Sequence, residues 1–105
     1  MDDAILGSVE YAIEHLHVDV VMVLGHTSCG AVTSTITSAP HGFTKLITDK
    51  IKEVIKEEKD IYKVVVINAN NSKNIIKKSI SMPNNVVVCA AIYDIKTGQV
   101  EIINE

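Results

Sequence analysis

VMVLGHTSCGAV, the stretch from Val21 to Val32, joins an apolar run to a glycine, a histidine, a cysteine and a second glycine. A run rich in β-branched residues is typical of a buried strand. Imidazole and thiolate are groups that bind zinc well, and only two residues separate the histidine from the cysteine. The stretch therefore predicts a strand whose end carries two candidate metal ligands, His26 and Cys29.

The composition is that of a small globular protein with an aliphatic core. The chain has 105 residues, of which 47% are hydrophobic but only 4% aromatic, and there is no tryptophan. Such a chain can form a core without disulfides, and its length predicts one domain over residues 1–105.

Charge and hydropathy exclude several classes of partner. The formal net charge of −3 gives no electrostatic reason to expect nucleic acid. No apolar run approaches the length of a membrane span, and Asp2 and Asp3 have the wrong charge for the start of a secretory signal. Two cysteines suit a reducing compartment. We therefore expect a cytoplasmic protein that binds neither nucleic acid nor membrane.

Hydrophobic periodicity predicts alternating helices and strands. The expected elements are a helix over Ala4 to Leu16, a strand over Val18 to Gly25, a helix over 43–58, a strand over Val86 to Ile95 and a hairpin partner over 100–104. The first strand is almost continuously apolar, which suits burial on both faces of a parallel sheet. This order predicts an α/β fold with a mainly parallel sheet flanked by helices.

Residues 60–81 are ambiguous from their own pattern. The segment KVVVINAN, residues 63–70, scores as a strand by propensity. Its apolar residues also recur at the spacing of a helical stripe. Composition alone leaves both structures open.

Four segments resemble β-class carbonic anhydrases, specifically the C-terminal part of that family's domain. They are LGSVEYAIEHLHVDVVMVLGHTSCGAV (6–32), HGFTKLITDKIKEVI (41–55), NANNSKNIIKKSI (68–80) and AAIYDIKTGQVEII (90–103). The Gly-His-x-x-Cys-Gly turn after a strand is the most specific of these features. The resemblance implies the family's α/β fold with its leading strands missing, and it favours a helix for 60–81.

The resemblance also implies a zinc site and a reaction. In that family two cysteines and one histidine hold the zinc, and His26 and Cys29 fall on the second and third ligands. Zinc acidifies a bound water, so that CO₂ is hydrated reversibly to bicarbonate at neutral pH. Zinc would be the cofactor and CO₂ and bicarbonate the substrates of an active chain.

One departure from the family pattern bears directly on activity. The family's first cysteine lies in an upstream Cys-x-Asp-x-Arg motif that has no counterpart here, and the chain contains no arginine. Two protein ligands are too few for a stable catalytic zinc. We therefore expect weak or absent activity from this chain alone. The alternatives are a non-catalytic metal-binding or assembly protein that keeps the scaffold, and an enzyme restored by a strand that another polypeptide supplies.

The resemblance predicts self-association as well. In the family the missing strand pairs with the strand over Val18 to Gly25, so that strand is expected to have an open, apolar edge that invites another chain. A homo-oligomer is therefore expected, and two copies that bring their tips together could form a Cys₂His₂ zinc site from His26 and Cys29. Cys89, inside an aliphatic strand, is expected to be a small apolar residue rather than a ligand.

Overall fold

The structure is a computed structural model that describes residues 2–28, 30, 33, 35 and 41–103. The helices and strands of this part are, in chain order, α1 (Asp3–His15), β1 (Val20–His26), α2 (Gly42–Ile55), α3 (Ile61–Ser79), β2 (Val87–Tyr93) and β3 (Val100–Ile103). The predicted α/β class is confirmed.

Aspartates begin two of the helices. Asp2 Oδ1 accepts a hydrogen bond of 2.9 Å from the backbone N–H of Ile5 at the start of α1. Asp60 Oδ1 does the same for Lys63 N–H, at 3.0 Å, at the start of α3. Each carboxylate satisfies an amide that has no partner within its helix.

Among the residues that the structure describes, no helix is both long enough and apolar enough to cross a membrane.

The strands form one mixed sheet in the order β1-β2-β3. β1 runs parallel to β2, with Val20 opposite Val87 and His26 opposite Tyr93. β3 returns antiparallel to β2 through the turn that contains Gly98. The chain between β1 and β2 makes a long crossover that includes α2 and α3. As a result, the carboxyl ends of β1 and β2 lie side by side.

Helix α3 provides most of the core. It packs on one face of the sheet, against both β1 and β2, while α2 packs on α3. The side chains buried in this layer are Ile51, Ile55, Val64, Val65, Ala69, Ala90 and Ile92. A second apolar cluster, centred on Ile13, Ile76 and Ile80, fixes α1 against the same side of the sheet. Both clusters contact Val23 of β1, which joins them into one layer.

The ambiguous segment 60–81 is helical over Ile61–Ser79, as the resemblance favoured. Its buried residues are Val64, Val65, Ala69, Lys73 and Ile76. Asp60 caps the N-terminus of α3, and the helix packs against β1 and β2. These tertiary contacts outweigh the strand propensity of the valine run.

The prediction that the first strand is buried on both faces is wrong for the described structure. Burial along β1 alternates: Val21, Val23 and Gly25 are partly buried, whereas the residues between them are exposed. The exposed fractions of Val20, Met22 and Leu24 are 56%, 42% and 51%. The reason is that the described helices pack on one face of the sheet and leave the side chains of the other face in solvent.

A left-handed residue follows α1. His17 has a φ of 55°, a region that costs a side-chain-bearing residue about 1 kcal/mol and a glycine almost nothing. We predict that His17→Gly raises the free energy of unfolding by about 0.5–1 kcal/mol, measured by urea denaturation.

Glu14→Gly is the matched control for that change. Glu14 is exposed within the last turns of α1. Glycine there adds backbone freedom without relieving any strain, so the free energy of unfolding should fall by about 1 kcal/mol. A loss of stability from both substitutions would mean that residue 17 is not strained.

Candidate metal site at the tip of β1

The end of β1 is held in place by β2 and by the turn that follows β2. His26, the last residue of β1, pairs with Tyr93, and the N–H of Thr27 donates to the carbonyl oxygen of Tyr93 at 3.0 Å. The hydroxyl Oγ1 of Thr27 accepts a hydrogen bond of 3.1 Å from the N–H of Ile95. The backbone that carries the histidine is therefore anchored on two sides.

The imidazole of His26 is oriented by its own neighbour. Its Nδ1 lies 2.9 Å from the carbonyl oxygen of Thr27. Because a carbonyl oxygen can only accept, Nδ1 carries the hydrogen, and in the neutral ring the lone pair is on Nε2. The side chain is exposed. A histidine whose second nitrogen donates to a backbone carbonyl is the usual arrangement of a metal ligand.

Cys29, the second predicted ligand, lies outside the described residues. The chain approaches it through Ser28, which has a left-handed φ of 57°, so the backbone turns sharply just after the strand. The pairing of His26 with Cys29 at one metal stays a prediction.

Other metal-binding side chains do not gather at the tip within the described ranges. These ranges contain no group of three or more histidine, cysteine or acidic residues that could hold a metal ion. Cys89 lies opposite Met22, four strand positions before the pair of His26 with Tyr93, which is about 13 Å along the sheet. That separation excludes Cys89 as a ligand that shares a metal with His26.

A cleft of about 230 Å³ adjoins the histidine, between β1 and α3. Its walls include Val65 and Ala69, and its polar groups, besides His26, are the side chains of Asn68 and Ser72, one turn apart on α3. Asn68 and Ser72 are not among the site residues predicted from the sequence. Their polar side chains lie beside the apolar residues Val65 and Ala69 of the same helix, and that position is the signal that could have marked them. They could hydrogen-bond to a small polar ligand in the cleft.

A larger cleft, of about 530 Å³, lies beside Thr27. Tyr62, Asp94 and Glu101 contribute its polar and acidic groups. The carboxylate of Asp94 has a structural role, since its Oδ1 accepts the N–H of Lys96 at 2.9 Å and closes the turn before β3. The carboxylate of Asp94 therefore stabilises the turn between β2 and β3.

The outer edge of β1 is open in the described part of the chain, where β1 is an end strand of the sheet. The carbonyl of Asp19 accepts the N–H of Val87 at 2.9 Å, and Thr27 N–H also points towards β2. Backbone groups alternate between the two edges of a strand, so the odd-numbered residues of β1 face β2. The N–H and C=O groups of the even-numbered residues, Val20 to His26, face the open edge.

Comparison with known proteins identifies the family. A family model described as carbonic anhydrase matches residues 1–100. A carbonic anhydrase of Mycolicibacterium smegmatis is 43% identical over 56 residues, and carbonic anhydrase 2 of Mycobacterium tuberculosis is 38% identical over 56 residues. Each of these matches covers 49% of this chain and 27% of the relative.

The fold agrees with that result. A tetrameric β-carbonic anhydrase of the filamentous ascomycete Sordaria macrospora superposes with a TM-score of 0.82 at 19% identity. The match covers all of this chain and 62% of the Sordaria chain, so this chain spans less than two thirds of that relative. On the family match and the shared fold, the chain belongs to the β-carbonic anhydrase family.

Proposed function

We propose that the tip of β1 is half of a β-carbonic anhydrase zinc site, in which His26 and Cys29 are ligands. In that family the zinc provides Lewis-acid activation of water for the reversible hydration of CO₂ to bicarbonate. We further propose that this chain alone has weak or no activity, because a third protein ligand and the Asp-Arg pair have no counterpart in it.

The observation that carries this proposal is the orientation of His26. Its Nδ1 donates to the carbonyl of Thr27 at 2.9 Å, which leaves the Nε2 lone pair of the neutral ring available on an exposed side chain. Thr27 is itself fixed by hydrogen bonds to Tyr93 and Ile95. A ring held in this way can bind a metal without first being ordered, which lowers the entropic cost of binding.

The described residues do not by themselves fit a complete zinc site. A catalytic zinc has three protein ligands and one open position. The described ranges supply His26, and the predicted partner Cys29 lies outside them. The ligand set that the sequence offers at this tip is therefore one short, and the expected zinc affinity is low.

A second candidate function is assembly without catalysis. Half-exposed apolar side chains cover one face of the sheet, and an exposed apolar patch is typical of a surface that binds another protein. The Sordaria relative is described as tetrameric, and we propose that this chain also forms a homo-oligomer. An assembly protein would keep the scaffold and the apolar face whether or not zinc binds.

Zinc content and CO₂ hydration, measured on the same purified sample, test the proposed function. We expect less than one zinc per chain after brief exposure to a chelator, and hydration close to the uncatalysed rate. His26→Ala and Cys29→Ala should each remove the remaining zinc, because each deletes one of two ligands.

His15→Ala is the matched control. His15 lies on α1, where its ring stacks on Tyr11 at 4.8 Å between centroids, away from the tip. This substitution should leave the zinc content unchanged. Zinc that survives both tip substitutions would show that the metal binds elsewhere and would remove the proposal.

A further inference from the structure

The hydrogen bonds at the end of β1 depart from the regular pattern of a parallel sheet. Just before the strand, the backbone carbonyl of Asp19 accepts the N–H of Val87 at 2.9 Å. Ile95 lies as far beyond Val87 as Thr27 lies beyond Asp19, and the register between β1 and β2 is continuous. Parallel strands repeat their hydrogen bonds at even intervals. A regular ladder would therefore direct the N–H of Ile95 to the backbone carbonyl of Thr27.

The hydroxyl of Thr27 takes the place of its own carbonyl. The N–H of Ile95 donates to Thr27 Oγ1 at 3.1 Å, whereas the N–H of Thr27 keeps its ladder position and donates to the carbonyl of Tyr93 at 3.0 Å. The carbonyl of Thr27 instead lies 2.9 Å from Nδ1 of His26. Ser28 has a left-handed φ of 57°, so the chain leaves the strand direction at the peptide group that carries this carbonyl.

We propose that Thr27 is a positioning residue. Its hydroxyl accepts the last hydrogen bond of the ladder between β1 and β2, which leaves its carbonyl free to hold the hydrogen of His26 on Nδ1. Nε2 is then the unprotonated nitrogen of the neutral ring. The use of this arrangement for metal binding rests on the proposed function, but the arrangement itself requires no metal and is tested without one.

The position of the ring hydrogen decides which nitrogen can bind a ligand. A neutral imidazole has two forms, and the hydrogen bond that one nitrogen makes selects between them. In water, a histidine side chain without such a bond prefers the hydrogen on Nε2. The carbonyl of Thr27 reverses that preference for His26. Because the side chain is exposed, an approaching metal ion meets a lone pair rather than an N–H group.

The turn between β2 and β3 fixes the donor of the critical hydrogen bond. The N–H of Asp94 donates to the carbonyl of Gln99 at 2.8 Å, and the N–H of Gly98 donates to the carbonyl of Asp94 at 2.7 Å. Ile95 lies inside this closed turn, and its N–H points to β1. The orientation of the histidine ring therefore depends on a contact between residues that are 68 positions apart in the chain.

Thr27→Val tests the proposal, because valine keeps the shape of threonine but lacks the acceptor. An N–H without a partner favours any change that supplies an acceptor, and the nearest one is the carbonyl of residue 27. Return of that carbonyl to the ladder releases Nδ1 of His26. We expect the ratio of the Nδ1–H form to the Nε2–H form of the ring to fall about fivefold or more.

NMR spectra that correlate the ring protons with the ring nitrogens measure this ratio. A ring nitrogen that carries a hydrogen and one that does not resonate at clearly different frequencies. The spectra are recorded with a chelator at alkaline pH, where imidazole rings are neutral. His26→Gln removes the signals of this ring and so identifies them among the four histidines. In the unsubstituted protein the Nδ1–H form should predominate.

Thr27→Ser and Thr97→Val are the matched controls. Serine keeps the hydroxyl, so the ring of His26 should keep the Nδ1–H form. Thr97 lies in the same turn, where its Oγ1 accepts the N–H of Gln99 at 3.2 Å. Valine there removes a hydrogen bond of the turn but leaves the acceptor of Ile95 in place, so the ring should again be unchanged. An unchanged ring in Thr27→Val, or an equal change in Thr97→Val, would overturn the proposal.

The unsubstituted protein provides a second measurement that does not depend on a folded variant. Scalar couplings across hydrogen bonds connect an amide nitrogen to the carbonyl carbon whose oxygen accepts its hydrogen. We expect this coupling from the nitrogen of Thr27 to the carbonyl of Tyr93, and none from the nitrogen of Ile95 to the carbonyl of Thr27. A coupling between Ile95 and Thr27 would show that the regular ladder continues, which contradicts the proposal. Zinc enters neither measurement, so the positioning of His26 and the proposed zinc site can fail independently.

Discussion

Gly25→Ala is expected to lower the free energy of unfolding by about 1–3 kcal/mol, although alanine favours extended backbone more than glycine does. A Cβ on Gly25 would lie 3.0 Å from Cγ1 of Val65 and 3.1 Å from Cδ1 of Ile92. Both neighbours belong to the buried core, so neither can move freely. Urea denaturation of the purified variant measures the change.

Two further variants make that prediction specific. Gly7→Ala is the control: Gly7 lies within α1 with open space around it, so alanine there should raise stability by about 0.5–1 kcal/mol. Val65→Ala removes the nearer of the two contacts with the new methyl group. The double variant Gly25→Ala with Val65→Ala should lose about 1 kcal/mol less than the sum of the single losses. Additive losses would mean that the close approach of β1 to α3 does not cause the effect.

The close approach at Gly25 also positions the candidate site. Gly25 directly precedes His26, and α3 contacts the strand at Val65 and Ala69. A side chain at residue 25 would push the strand away from α3 and shift the histidine relative to Asn68 and Ser72 across the cleft. Gly25 therefore allows β1 to pack closely on α3, and this close packing positions His26 beside the cleft.

The strand–turn motif at the end of β1 could be predicted from the sequence, whereas residues 60–81 could not be assigned from local pattern alone. The motif consists of adjacent residues whose types have strong local preferences. In 60–81 the valines favour a strand and the spacing favours a helix. The decision depends on Asp60 as a cap and on packing against β1 and β2, which are distant in sequence.

The burial of β1 could not be predicted for a different reason. Apolar residues on both faces of a strand are typical of a strand covered on both faces, but they do not indicate which segments cover it. The described chain covers the face of Val21 and Val23 and leaves the face of Met22 and Leu24 exposed. The apolar pattern therefore predicts the character of both faces of β1, but not which face the chain itself covers.

His26 as a metal ligand stays a prediction from the motif. The hydrogen bond that orients its ring comes from the backbone of Thr27, which no side-chain pattern reveals. Asn68 and Ser72 lie more than forty positions away along the chain and reach the cleft only because α3 crosses β1. Contacts of this kind follow from topology rather than from local sequence.

A strand supplied in trans is expected to raise CO₂ hydration at least about tenfold over that of the chain alone, because it would add the third ligand that a catalytic zinc requires. The probe is a synthetic peptide that carries the family's Cys-x-Asp-x-Arg segment. Alternate residues of a strand share a face, so its cysteine, aspartate and arginine would point to the same side when the peptide pairs with the open edge of β1. Stopped-flow hydration with equimolar zinc measures the gain.

The same peptide with serine in place of its cysteine is the control, since it can pair with β1 but cannot complete the ligand set. Equal rates with both peptides would show that the edge of β1 is not where the missing ligand belongs.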